Sequence, residues 1–160
     1  MSLAYVGMGS NLDGPQRQVT QAFSELDAIP RTRLVKRSSL YRSEPIGHAD
    51  QPEFVNAVAA IDTSLAPEGL LGELQAIEAR HGRRRGLPNA PRTLDLDLLL
   101  YEDRVVASPR LTLPHPRMHE RAFVLRPLLE LAPGISIPGR GPAAELLAAC
   151  AAQRVAKCDG

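Results

Sequence analysis

Asp95 and Asp97 interrupt a run that is otherwise dominated by leucine, Thr93-Leu94-Asp95-Leu96-Asp97-Leu98-Leu99-Leu100. The run reads as a strand. Side chains alternate faces along a strand, so both carboxylates project from the same side, with Cα atoms roughly 6.5–7 Å apart. Aspartate is depleted in strands. Two adjacent carboxylates repel, and burying either without a partner is costly. A hard divalent cation removes both penalties. Magnesium typically takes one or two carboxylates and completes its shell with water and phosphate oxygens. A carboxylate pair can also bridge two such ions around a polyphosphate. A solvated polar face on an outer strand explains the spacing equally well. Arg92, three residues before Asp95, and the arginines preceding it favour the metal reading.

Those arginines are Arg80, Arg83, Arg84 and Arg85, with His81 among them. Guanidinium groups bind phosphate oxygens in bidentate fashion and neutralise charge during phosphoryl transfer. A basic loop here could close over a bound nucleotide and exclude water. A solvated basic patch is the plainer reading. RNA binding is a third, but no aromatic residues interleave with the arginines. Further along, Arg110 and Thr112 share a face if their segment is a strand. His115 is confined between Pro114 and Pro116, with Arg121 six residues on. A lone histidine is commonly structural, whereas one near a phosphate can donate a charge-assisted hydrogen bond.

Phe54 and Asn56 also share a strand face, and with Phe123 they form a third group. An aromatic ring beside a primary amide suits a flat heterocycle, through stacking and readout of ring edges. Ordinary core packing accounts for the phenylalanines too. Gly7-Met8-Gly9-Ser10-Asn11-Leu12-Asp13-Gly14 fails as a dinucleotide motif, because Leu12 stands where a third glycine is required. It reads instead as a tight strand-to-helix turn.

The elements that must position these residues follow from periodicity and punctuation. Leu3–Gly9 reads as a buried strand. A helix opens near Asp13-Gly14-Pro15, with Val19, Ala22, Phe23 and Leu26 on its inner face. Arg31–Tyr41 reads as one strand, 43–52 as a loop and Phe54–Thr63 as a strand. A second helix opens at Pro67, carries Leu70, Leu74, Ile77 and His81 on one face, and stops at Gly82. A basic loop (83–91), the aspartate strand, a short hairpin around Val105-Val106 and Leu111–Leu113, a partly helical 123–131 and a final helix from Pro142 complete the order. The tail from Gln153 is expected to be loose. Strand, helix, strand, strand, helix, strand is the pattern of a ferredoxin-like split βαβ sandwich, an α/β (α+β) fold with a mainly antiparallel sheet. Adjacent strands without an intervening helix argue against a doubly wound parallel sheet.

With 44% hydrophobic and 23% charged residues, the chain has globular composition, so disorder is not expected. Its 160 residues suit one domain spanning 1–160. A formal net charge of +1 leaves ligand selection to local clusters, not to a global field. No apolar run approaches the length of a membrane span and no secretory signal is visible, so a cytoplasmic location without membrane association is expected. Cys150 and Cys158 show no metal-ligand spacing and read as reduced thiols.

Taken together, Gly9-Ser10-Asn11-Leu12, Ser39-Leu40-Tyr41-Arg42-Ser43-Glu44-Pro45, Gln51-Pro52-Glu53-Phe54-Val55-Asn56, Pro91-Arg92-Thr93-Leu94-Asp95-Leu96-Asp97 and Pro114–Phe123 closely resemble the 6-hydroxymethyl-7,8-dihydropterin pyrophosphokinases. The resemblance runs from Tyr5 to about Leu147. It implies transfer of the β,γ-diphosphate of ATP to the pterin hydroxymethyl oxygen, with release of AMP, in folate synthesis. It also implies residue roles. Asp95 and Asp97 hold two Mg²⁺ ions bridging the triphosphate. Arg83, Arg92, His115 and Arg121 engage the phosphates, with Arg85 reaching in from the loop. Leu71, Gln75, Glu78, Leu98, Arg110 and Thr112 line the nucleotide pocket. Phe54 and Phe123 sandwich the pterin, Asn56 reads its edge, and the backbone from Ser43 through Pro45 to Ile46 completes that pocket. The partners expected are these two small molecules and no nucleic acid, with the chain a monomer. The main alternative is an RNA-binding module using the Arg83–Arg85 loop. One departure stands out: the family commonly carries a tryptophan shortly before the Pro-Arg of the aspartate motif. Here the segment is Gly86-Leu87-Pro88-Asn89-Ala90, without an aromatic residue.

Overall fold

The computed structural model describes residues 1–44, 52–82 and 93–158. Strand β1 (Ser2–Ser10) buries Ala4, Val6 and Met8 on one face. Asp13 and Gly14 then turn the chain with positive φ, 55° and 74°. Gly14 takes that left-handed conformation without the penalty a Cβ would bring. Helix α1 (Pro15–Asp27) follows, with proline at its start and Val19, Ala22, Phe23 and Leu26 buried.

The segment expected to be one strand, Arg31–Tyr41, is two: β2 (Thr32–Arg37) and β3 (Tyr41–Ser43). Ser38 causes the break. Its main chain still donates to Val58 O, but its hydroxyl accepts the Val58 N–H, so side chain replaces backbone in the ladder. Ser39 turns aside, giving its N–H and hydroxyl to Glu130. Strand β4 (Phe54–Thr63) pairs with β3 along its first residues and with β2 along its last. Helix α2 (Pro67–Arg80) buries Leu70, Leu74 and Ile77 and stops where Gly82 takes φ 75°. Strand β5 (Asp95–Tyr101) leads into a hairpin of β6 (Val106–Ala107) and β7 (Thr112–Leu113). Arg110 lies in the bend before β7 and not in a strand, so it does not share a strand face with Thr112.

A 3-10 turn (Met118–Glu120) precedes α3 (Ala122–Leu131). The short ribbon of β8 (Ser136–Ile137) and β9 (Gly141–Pro142), helix α4 (Ala143–Ala148) and β10 (Val155–Lys157) complete the chain. The main sheet runs β10-β3-β4-β1-β5, with β2 also on β4, and its described pairings are antiparallel. The sequence of elements β1-α1-β2/β3-β4-α2-β5, with β1 and β4 central, is the ferredoxin-like split βαβ arrangement. Helices α1 and α2 cover one face, where Val19, Leu26, Leu70, Leu74 and Ile77 meet the inward residues of β1, β4 and β5. Helices α3 and α4 cover part of the other, around Val58, Leu99, Leu125 and Leu128.

Residues 153–158, within the tail expected to be loose, are tied down. Strand β10 pairs with β3, and the Gln153 side chain caps α3 by accepting the Ala122 N–H (2.8 Å) and donating to Glu120 O (2.8 Å). A three-residue strand has too little periodicity to be read from sequence. Among the described residues, no helix is long and apolar enough to cross a membrane.

Candidate active site

The cavity is built on the sheet face that α3 leaves open. Phe54, Asn56 and Val58 share that face of β4, while Asp95, Asp97 and Leu99 share it on β5. Strand β1 runs between them. Gly9 pairs with Asn56 on one side and Asp95 on the other, and Gly7 lies between Val58 and Asp97. The two glycines present no side chain where any larger residue would fill the trough. They lie inside β1, in keeping with the strand read over Leu3–Gly9, and form a floor; the strand-to-helix turn falls at Asn11–Gly14, in the second half of the glycine-bearing segment. A Cβ at Gly9 would fall 2.9 Å from Asn56 Nδ2, and one at Gly7 would fall 3.3 Å from the Leu99 side chain.

The resulting cavity of about 360 Å³ brings together Ser43, Phe54, Asn56, Asp95, Asp97, His115, Arg121 and Phe123 from the predicted set. At one end Asn56 is 4% exposed, and the buried Ser43 hydroxyl donates to its Oδ1 at 2.5 Å. That bond fixes the amide so that its NH₂ remains as the donor for an acceptor on a ligand edge. Phe54 and Phe123 supply aromatic surface beside it. The Arg121 guanidinium lies 5.5 Å from the centre of the Phe123 ring, a cation–π contact.

At the other end, His115 donates its main-chain N–H to Leu99 O (2.9 Å), which fastens the Pro114-His115-Pro116 segment onto β5. Its Nδ1 accepts the Arg117 N–H (3.1 Å), so Nε2 carries the ring proton. Nε2 stands 4.0 Å from Asp97 Oδ1. Burial, helped by the Arg121 charge, pushes the His115 imidazole down to about 4, against a smaller opposing pull from Asp95. It is neutral at neutral pH and donates from Nε2. Burial also lowers Arg121, and the Asp97 and Asp95 charges partly restore it. An all-oxygen pair, Asp95 and Asp97, opening onto the same cavity suits a hard cation such as Mg²⁺.

The predicted nucleotide residues occupy a different place. Leu71, Gln75 and Glu78 on α2, Leu98 on β5, and Arg110 and Thr112 at the hairpin are not among the cavity's lining. Leu98 points into the helix-side core with Leu71 packed nearby, and Glu78 is buried with its Oε2 accepting the Leu96 N–H (2.7 Å). Helix α2 and strand β7, which carry or adjoin most of these residues, both pack against β5, the strand that ends the sheet. Of the basic cluster, Arg80 pairs with Glu25 (3.6 Å), and His81 bonds Glu25 and Gln18. Both therefore tie α2 to α1 and do not face the cavity, unlike the phosphate-binding reading of that cluster. Pro45, Ile46, Arg83, Arg85, Arg92 and the basic loop lie outside the described residues.

Sequence reasoning missed Gly7, Gly9 and Arg117 as cavity residues, whereas Glu44 lies in the Ser43–Ile46 segment expected there. Arg117 was within reach, since it stands two residues from His115 in the same basic motif. The glycines were not, because their role depends on which strands flank β1.

A model of the 7,8-dihydro-6-hydroxymethylpterin-pyrophosphokinase family (HPPK) matches residues 5–133. A 2-amino-4-hydroxy-6-hydroxymethyldihydropteridine pyrophosphokinase of Pseudomonas aeruginosa is 51% identical over 98% of this chain and 96% of its own. Its namesake from Haemophilus influenzae is 44% identical over 99% of both. A crystal structure of Plasmodium falciparum HPPK-DHPS superposes with a TM-score of 0.71 at 12% identity, covering 93% of this chain and 43% of that one, and so shares the fold. None of these relatives supports the RNA-binding alternative. By its family match and its near full-length relatives, this chain belongs to the HPPK pyrophosphokinases.

Proposed function

We propose that this chain transfers the β,γ-diphosphate of ATP to the hydroxymethyl oxygen of 6-hydroxymethyl-7,8-dihydropterin, giving the pterin diphosphate and AMP in folate synthesis. The observation that carries the reading is a single cavity lined by two carboxylates from β5 at one end and by a buried amide and two phenylalanines at the other. One end suits a metal-bound polyphosphate, the other a flat heterocycle, and the space between is where one would be joined to the other.

The chain's own groups then have separable tasks. Phe54 and Phe123 hold the pterin ring by its faces, and Asn56 donates to an acceptor on its edge. The backbone of Ser43, Pro45 and Ile46 completes that end. The substrate hydroxyl needs alignment with the phosphorus and charge neutralisation, not a covalent enzyme intermediate. Neutral His115 donates its Nε2 proton in a hydrogen bond to a phosphate oxygen, and Arg121 offsets negative charge as the diphosphate moves. Arg83, Arg85 and Arg92 engage the phosphates from the loop side. Two Mg²⁺ ions, held by Asp95 and Asp97, supply charge neutralisation of the triphosphate when bound. Leu71, Gln75, Leu98, Arg110 and Thr112 accommodate the base around the outer edge of β5. The chain acts as a single-domain monomer in the cytoplasm.

The test is AMP release from ATP and the pterin alcohol in the presence of Mg²⁺. AMP formed in step with pterin diphosphate supports the reading. ATP binding with no AMP released would make this a nucleotide-binding protein without transferase activity.

A further inference from the structure

Among the described residues Glu78 is the only charged side chain that is buried, at 7% exposure. It follows Ile77 on the face of α2 that packs against the sheet. A carboxylate in that position is costly unless hydrogen bonds compensate it. One that does so comes from the main chain of β5: Leu96 N–H donates to Glu78 Oε2 at 2.7 Å.

The place of that bond is informative. Strand β5 pairs with β1 on one side and ends the sheet on the other. A strand at the edge presents backbone donors with no neighbouring strand to accept them. Glu78 supplies the acceptor at Leu96, the residue between Asp95 and Asp97. The Leu96 side chain points into the helix-side core, whereas its two neighbours open onto the cavity. The pinned N–H therefore belongs to the peptide linking Asp95 to Leu96, directly between the two carboxylates.

We infer that Glu78 is a positioning residue for the carboxylate pair, acting through the Leu96 main chain from the opposite face of the sheet. It holds the spacing and pitch of Asp95 and Asp97 without touching substrate. This rests on the reading of those two aspartates as the metal-holding pair. It differs from the nucleotide-pocket role that the family resemblance implies for Glu78.

Three variants separate the possibilities. Glu78→Gln keeps a carbonyl acceptor for Leu96, Glu78→Ala removes it, and Glu78→Met removes it while preserving volume should the alanine variant fail to fold. The first readout is amide hydrogen exchange at Leu96 without metal or nucleotide. The second is the Mg²⁺ concentration giving half-maximal binding of α,β-methylene-ATP. The third is the ratio of ATP to GTP use. Loss of the acceptor is expected to speed Leu96 exchange roughly tenfold and raise the Mg²⁺ midpoint several-fold, with Glu78→Gln close to wild type and the base ratio unchanged. Unchanged Leu96 exchange, or an unchanged Mg²⁺ midpoint with a collapsed ATP-to-GTP ratio, overturns the inference. Asp95→Asn and Asp97→Asn serve as controls: a wild-type Mg²⁺ midpoint in both removes the metal reading itself, whatever Leu96 does.

Discussion

Gly9 lies so close beneath Asn56 that a Cβ added to it would stand 2.9 Å from the amide nitrogen Nδ2. Real Cβ contacts essentially never close to that distance, and Ser43 holds Asn56 from its other end. The amide has no room to retreat without breaking a buried hydrogen bond. Gly9→Ala should therefore displace Asn56 from its reading position. Overpacking at such a point costs about 1–3 kcal/mol. The expected outcome in steady-state kinetics is a pterin KM raised roughly tenfold, with the ATP KM little changed. An unchanged pterin KM would mean that Asn56 does not contact the substrate.

Ser43 sets which end of that amide faces the ligand. Removing its hydroxyl frees Oδ1, and the amide can then present either group to the cavity. A typical intramolecular hydrogen bond contributes about 0.5–1.5 kcal/mol net. Ser43→Ala should weaken pterin binding by about two- to tenfold in a calorimetric titration. Glu44 lines the same cavity, but its side chain is exposed and the role expected of this segment is its backbone's, so alanine there should have little effect on the same titration.

Asp95→Ala and Asp97→Ala should each abolish turnover while leaving the fold intact, because both side chains open onto the cavity and neither belongs to the helix-side core. Circular dichroism and the thermal midpoint check the fold, and AMP release checks the activity. Near-normal turnover in both variants would remove the metal assignment.

His115 gives the protein an acid-side signature. Its pKa is pushed from an ordinary 6.5 down to about 4 by burial first and the Arg121 charge second. The unfolded chain then binds this proton more readily than the native one between those two values. Stability from this group is complete above about 6.5 and falls as pH drops toward 4. In the metal-free protein, the His115 ring should titrate near 4 by NMR. His115→Gln should flatten the loss of thermal midpoint between pH 6.5 and 4.5. A ring titrating near 6.5 would show that the imidazole is solvated.

Much of this molecule can be read from local chemistry. Pro15, Pro67 and Gly82 mark helix ends by backbone constraint, and the Asp95-Leu96-Asp97 alternation puts two carboxylates on one face whatever surrounds them. The chain's motifs likewise name its family. Other features depend on contacts distant in sequence. Gly7 and Gly9 become a cavity floor only because β4 and β5 flank β1, placing Asn56 and Asp95 on either side of one glycine. Ser38 breaks a strand because Val58, twenty residues on, is its partner. The tail is held because Gln153 meets the start of α3 and β10 finds the edge of β3. Glu78 enters from the sequence as a nucleotide-pocket residue implied by the family resemblance, and only the packing of α2 against the sheet turns its carboxylate to the backbone between two aspartates. Periodicity fixes which way a side chain points from its own element, while tertiary packing decides what it points at.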